Sequence, residues 1–196
     1  FIGLTPKLLI EEGERVKAGT PLFYAKGKEK VLFTSPISGV VKQVKRGEKR
    51  VIEEVIISAD ETIEYLDFGI SSISELNAEQ IKEKLLISGA WTLLRQRPYS
   101  VVPNPDTTPK CIIVSGFSSA PLAPDYSILL KGLGAELQVG VDALKKMTGV
   151  TIHVNLPSQN ARAEELSKLQ NVQINTFEGK HPCGNVSVQI EKLDPI

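Results

Sequence analysis

No helical period of apolar residues appears before about residue 74. Short β-prone runs at 21–25, 30–34, 39–45 and 51–58 lie between turns marked by Gly3, Pro6, Gly13, Gly19, Pro21, Gly27, Pro36, Gly39 and Gly47. In the last run Ile52, Val55, Ile56 and Ile57 make a mainly apolar strand, with Glu53 and Glu54 as a polar interruption. Short strands separated by glycine turns predict a small barrel or sandwich over residues 1–66.

The period then changes. Ser74 is the expected helix N-cap, and Leu76, Ile81, Leu85, Leu86, Trp91 and Leu94 follow near helical spacing. Gly89 interrupts them, which predicts one kinked helix or two short ones. Pro98 ends the pattern because a proline restricts the residue before it. Pro103, Pro105 and Pro109 stiffen the loop around Asp106, so residues 67–109 read as a helical connector with a proline-rich loop. From residue 110 strands are expected at 111–115, 150–156 and 172–177, and helices at 123–130, 136–147 and 161–169, with Gly149 as a C-cap. No element is expected over 179–196. Strand, helix, strand, helix, strand predicts a Rossmann-like parallel βαβ domain over 110–196. The fold class is therefore α/β with a small β domain. The chain starts at Phe1 inside a β-rich unit and is expected to be part of a longer protein.

Composition narrows the function. Of 196 residues, 23 are Lys or Arg and 23 are Asp or Glu, so the formal net charge is zero. Residues 1–66 hold 11 basic and 10 acidic side chains, and the remainder holds 12 and 13. No basic half exists to neutralise phosphates, which argues against nucleic acid as a partner. The apolar runs fall far short of the roughly 20 residues needed to cross a bilayer. The two cysteines, Cys111 and Cys183, form no C-x-x-C, so zinc, iron–sulfur and thioredoxin-type sites lack their ligand spacing. Cys111 lies in an apolar strand, and Cys183 lies in the turn-like run 181–184, a place compatible with an exposed thiol. A reducing, cytosol-facing compartment is expected.

Candidate chemistry is sparse. A dinucleotide fingerprint needs G-x-G-x-x-G between strand and helix, so that backbone can approach a pyrophosphate. The run after 111–115 has Gly116 alone, and Gly132-Leu133-Gly134 follows a helix. His153 reads as a strand residue, whereas His181, before Pro182 in a loop, is the better functional candidate. Trp91, Arg95, Arg97 and Tyr99 form an aromatic and cationic cluster. It lies at the expected domain junction and serves either as inter-domain packing with solvated arginines or as a contact surface for another subunit, since these types dominate binding hot spots.

Two resemblances are carried by specific residues. The turns around Gly13, Val16 and Gly19, followed by Ser35-Pro36-Ile37-Ser38-Gly39, resemble the barrel-sandwich hybrid domains of biotinyl and lipoyl carriers. That implies a partial barrel-sandwich hybrid, and it places Lys28 where a lipoyl domain carries its modified lysine. The flanks Gly27 and Glu29 depart from what modifying enzymes recognise. Leu86–Pro98 and the following Tyr99-Ser100-Val101-Val102-Pro103 resemble the G-x-W-x-x-L-R-x-R-P-[FY]-S-x-V-P stretch of the A subunits of sodium-translocating NADH:quinone reductases. Pro121-Leu122-Ala123-Pro124-Asp125 and Gly179-Lys180-His181-Pro182-Cys183-Gly184 resemble two further segments of that family. The residues after Gly184 depart from it.

More distant likeness extends to the flavin-binding subunit of respiratory complex I and the C subunit of Rnf complexes. Those relatives carry a G-G-A-G-F-P loop and clustered cysteines, where this chain has Gly89-Ala90-Trp91. The resemblance therefore implies a subunit with no cofactor of its own. It would be peripheral to the cytoplasmic face of a bacterial inner membrane, with no transmembrane segment, and docked on integral membrane subunits. Flavins and iron would reside in those partners, with quinone nearby. Trp91, Arg95, Arg97, Tyr99 and His181 are the expected subunit or inter-domain contact residues. The rival expectations are a flavin-binding NADH dehydrogenase or Rnf-type subunit, and a lipoyl or biotinyl carrier.

Overall fold

The computed structural model describes residues 4–158 and 164–195. The chain forms two compact units, Phe1–Ser71 with Lys82–Thr107, and Ser72–Ile81 with Thr108–Ile196. Residues 67–109 are thus shared between the units.

Six strands build the first unit: β1 Pro6–Leu8, β2 Arg15–Val16, β3 Pro21–Ala25, β4 Lys28–Thr34, β5 Gly39–Arg46 and β6 Ile52–Ala59. They form two antiparallel sheets, β1-β3-β4 and β2-β5-β6. Alternate side chains turn inward, and Ile10, Val16, Leu22 and Val41 form a thin core joined by Leu8, Phe23, Val44, Val55 and Ile57. Phe23 and Phe33 stack with ring centroids 4.8 Å apart. Gly39 has φ +155, and a Cβ there would lie 2.0 Å from the Ser58 carbonyl oxygen, so only glycine lets β5 and β6 approach. β1 and β2, three and two residues long, are too short for the sequence pattern to reveal.

The second unit is a parallel sheet in the order β7 Ile112–Ser115, β8 Ile152–Pro157, β9 Gln173–Phe177. Helices α2 Tyr126–Leu129 and α3 Gly134–Thr148 connect β7 to β8, and α4 Glu164–Ser167 lies between β8 and β9. Residues 161–163 of the expected helix at 161–169 lie outside the described residues. Gly149 caps α3 at φ +70, and its N–H donates to the Lys145 carbonyl at 2.8 Å.

Three expectations need correction. Helix α1, Ala78–Ile87, is capped by Asn77 rather than Ser74. Asn77 Oδ1 accepts from the Gln80 N–H, and Gln80 Oε1 accepts from the Asn77 N–H, both at 2.9 Å. This reciprocal capping box satisfies two donors that a serine three residues earlier does not reach. Ser74 sits in the preceding turn instead, its carbonyl accepting from Lys146 Nζ at 3.0 Å. The helix expected over 123–130 shrinks to α2 because Asp125 caps it late. Residues 179–196 do hold a helix, α5 Val186–Leu193. Beyond Gly89 the chain makes a separate 3₁₀ turn, Ala90–Leu93, which decides for two short elements. No helix among the described residues is long and apolar enough to cross a membrane.

Candidate functional site

In the first unit Trp91 is buried, 5% exposed, and its Nε1 donates to the Pro103 carbonyl at 3.0 Å. Lys28 Nζ donates to the neighbouring Val102 carbonyl at 3.0 Å. Indole and ammonium together hold residues 102–103 as a strap against the unit. Arg95 turns its guanidinium back onto the carbonyls of Thr92 and Leu94, the second at 2.8 Å. Gly89, with φ +77, lies so close to Thr34 that a Cβ would stand 2.5 Å from its Oγ1. Arg97 is half-buried. Tyr99 is 79% exposed and Leu93 is 78% exposed, which leaves them as the outward aromatic and aliphatic groups of this segment. Trp91 is thus an anchor of its own unit, and Tyr99 is a surface residue.

His181 belongs to the second unit, in the loop after β9. Its Nδ1 lies 3.1 Å from Ser119 Oγ, which also accepts from the Gly184 N–H at 2.8 Å. Gly184 packs so tightly that a Cβ would lie 2.3 Å from the Ser119 nitrogen. These contacts knit the loops that follow β7 and β9 at the carboxyl end of the sheet, where open α/β sheets place ligands. Cys183 is buried rather than exposed, its thiol donating to the Gly179 carbonyl at 2.9 Å. Burial, and then the neighbouring Asp194 carboxylate, push the Cys111 thiol above its ordinary pKa, so it stays protonated and is a poor nucleophile.

A polar network that sequence reading missed lies under α5. Ser115, Asn155 and Asn175 stand in register across β7, β8 and β9. Asn175 Nδ2 donates to Asn155 Oδ1 at 2.9 Å, and Asn155 Nδ2 donates to Gln189 Oε1 at 3.0 Å. Gln189 Nε2 donates to Ser115 Oγ at 3.0 Å, and the Ser115 hydroxyl donates in turn to the Phe117 carbonyl at 3.1 Å. Asn155 and Gln189 are both fully buried. His153 lies at the edge of the network, with Nδ1 3.2 Å from Asn175 Nδ2. The one available signal is an asparagine at a core position of an otherwise apolar strand.

A flavin or dinucleotide phosphate would need free backbone donors at a helix start. Of the two helix starts between β7 and β8, that of α2 is capped by a carboxylate, while a second carboxylate lies just ahead of α3, whose own start carries no side-chain cap. Asp125 Oδ1 accepts from the Ser127 N–H at 2.9 Å and from its hydroxyl at 2.7 Å. Glu165 Oε1 accepts from the Gly132 N–H at 3.0 Å, and its Oε2 stands 2.5 Å from where a Cβ on Gly134 would be. Gly116 is closed in as well, since a Cβ there would meet Leu156, Leu166 and the Asn155 carbonyl within 2.9 Å. The start of α2 and the turn at Gly116 are thus occupied by the chain's own groups. Among the described residues, no group of three or more His, Cys, Asp or Glu could hold a metal.

A two-sheet β unit followed by an α/β unit with a three-stranded parallel sheet defines a Rossmann-like protein with a small β domain. Comparison with known families gives the particular one. Residues 1–60 match the NqrA N-terminal barrel-sandwich hybrid domain, and residues 76–196 match the NqrA second alpha/beta domain. The chain belongs to this family. It is 36% identical over 202 residues to the A subunit of the Na(+)-translocating NADH-quinone reductase of Serratia proteamaculans, covering 100% of this chain and 44% of that protein. The protein of the same name in Pseudomonas aeruginosa is also 36% identical over 202 residues, and that in Haemophilus influenzae 34% over 205, with the same coverage. The chain therefore spans less than half the length of these curated relatives.

Proposed function

We propose that the chain serves within the cofactor-free, peripheral A subunit of a sodium-translocating NADH:quinone reductase. In this reading the assembly oxidises NADH, reduces quinone and moves sodium, while flavins and iron sit in partner subunits. The chain's own task is to dock on the integral membrane subunits at the cytoplasmic face of a bacterial inner membrane, near the place of quinone reduction. The observation that carries the reading is the match of both units to the same family.

Geometry supports a chain without a nucleotide of its own. Asp125 at the start of α2 and Glu165 just ahead of α3 supply negative charge there, and like charges raise the cost of binding a phosphate nearby. Tyr99 and Leu93, displayed on a segment that Trp91 anchors, suit a protein contact, because a rigidly held aromatic loses little entropy on binding. Arg97 and His181 are further contact candidates. The carrier alternative is weakened because Lys28 Nζ is engaged with the Val102 carbonyl, whereas a swinging arm needs a free amine.

A tagged pull-down of the full-length protein from detergent-solubilised membranes, with partners identified by mass spectrometry, tests this reading. Integral membrane flavoproteins recovered in fixed ratio are expected. A protein that stays alone in the soluble fraction overturns it.

A further inference from the structure

β5 and β6 outrun the sheet that carries them. β2 pairs only with Gly39 and Val40 of β5. The turn at 11–14 then covers the same edge: Val41 exchanges backbone hydrogen bonds with Gly13 and Glu14 at 2.8 Å, and Val44 N–H donates to Glu12 Oε1 at 2.7 Å. Past Val44 the sheet is two strands wide, with Lys45 opposite Glu54 and Arg46 opposite Ile52. The apolar core stops at the same level, at Val44 and Val55. Residues 45–54 therefore project as a narrow finger.

Over residues 45–54 the finger carries Lys45, Arg46, Lys49 and Arg50 against Glu48, Glu53 and Glu54, a net charge of +1, with Glu48 exposed in the tip turn. Glu53 and Glu54 are both within reach of Lys45, at 3.9 and 3.5 Å. Arg46, Lys49 and Arg50 are exposed and meet no carboxylate among the described residues. Between Arg50 and Ile52, Val51 is 58% exposed. The tip is closed by Gly47 N–H to the Val51 carbonyl at 2.8 Å, by Val51 N–H to the Glu48 carbonyl at 3.1 Å, and by the Arg46 guanidinium on the Arg50 carbonyl at 3.5 Å. Lys49 and Arg50 hold φ of 53° and 60°, a left-handed conformation that glycine or asparagine adopts at lower cost. The turn thus keeps two large basic side chains where small residues would be easier to place.

We propose that this finger tip docks on an anionic phospholipid surface. Arg46, Lys49 and Arg50 would meet headgroup phosphates, and Val51 would enter the interfacial layer. With zero formal net charge on the whole chain, the attraction has to be local. Each basic residue near an anionic leaflet strengthens binding by about fivefold. A stable protein interface buries about 800 Å² per partner, a broad patch that a narrow hairpin tip does not offer. A fluid lipid surface accepts a convex tip of this kind. The proposal rests on the finger alone, so it can fail while the family reading stands.

Vesicle sedimentation of the full chain tests it, with phosphatidylcholine vesicles alone or containing phosphatidylglycerol, at low and high salt. Binding is expected only to vesicles containing phosphatidylglycerol, and salt should screen it. The double substitution Lys49→Glu, Arg50→Glu should weaken binding by about 25-fold or more. Val51→Ser should weaken it while leaving the salt dependence intact. The charge-matched control Lys131→Glu, Lys168→Glu on the second unit should bind like the parent. If the acidic tip variant fails to fold, Lys49→Gln with Arg50→Gln replaces it. Equal retention on neutral vesicles, no binding at low salt, or a tip variant that binds like the parent overturns the proposal. So does a tip variant lost from the solubilised complex when the parent binds no vesicles, which would assign the finger to a protein partner.

Discussion

At the centre of the parallel sheet, the two faces are buried by opposite chemistry. On one face Ile152, Val154 and Leu156 meet Val141 of α3, Leu166 of α4 and Leu169. On the other, Asn155 is as inaccessible as Val154 but is held by hydrogen bonds to Gln189 and Asn175. Apolar packing is non-directional and tolerates small slides of a helix over the sheet. An amide that both donates and accepts fixes its partner in one position. The polar face therefore sets where α5 sits, and through Gly184 and Ser119 it orders the loops at the carboxyl end of the sheet. The α/β unit thus uses its buried polar groups to tie its loops and α5 together.

The largest loss from a single substitution is expected on the apolar face. Ile152→Ala should lower unfolding free energy by about 2–5 kcal/mol in urea titration, because the cavity in a fully packed layer refills only partly. On the polar face, Gln189→Leu keeps the volume but orphans the buried Asn155 amide, at a cost of about 1–3 kcal/mol. Hydrogen exchange separates the two faces further, since α5 amides should lose protection in that variant while α3 amides keep it. Asn77→Ala removes the reciprocal cap of α1 and should cost about 1 kcal/mol in thermal unfolding.

The smallest effect lies on the exposed surface of α4. The Lys168 ammonium, hydrogen-bonded to Glu164, holds that carboxyl below its ordinary pKa, and Glu164 in turn raises Lys168. Glu164's share of stability is present above its unfolded pKa and is lost as pH falls through the lowered folded value. Lys168's share is full below its unfolded pKa and is lost as pH rises through the raised one. Lys168→Ala should flatten both limbs of the stability profile, and an unchanged acid limb would show that the pair contributes nothing.

What can be read from the sequence follows the same division. The 3.6-residue period of α3 and the alternation in β8 mark the apolar face, so the parallel βαβ order is visible. α5 is hidden because Gln189, its most buried residue, interrupts the apolar stripe of Val186, Ile190 and Leu193. Asn77 and Ser74 are both good caps, and only the partner Gln80 separates them. Trp91 is visible as an anchor type, but its partner, the Pro103 carbonyl, is set by how the strap folds back. Glu165 reaches the turn before α3 from a distant segment, bonding Gly132 across 33 residues, a pairing no local pattern encodes.

The proposed reading gives this chain no nucleotide of its own, and calorimetric titration of the folded chain with flavin mononucleotide and with NADH tests that most directly. No saturable heat is expected for either ligand up to millimolar concentration. Saturable binding of either ligand below that range, abolished by a competing phosphate-bearing nucleotide, would contradict it.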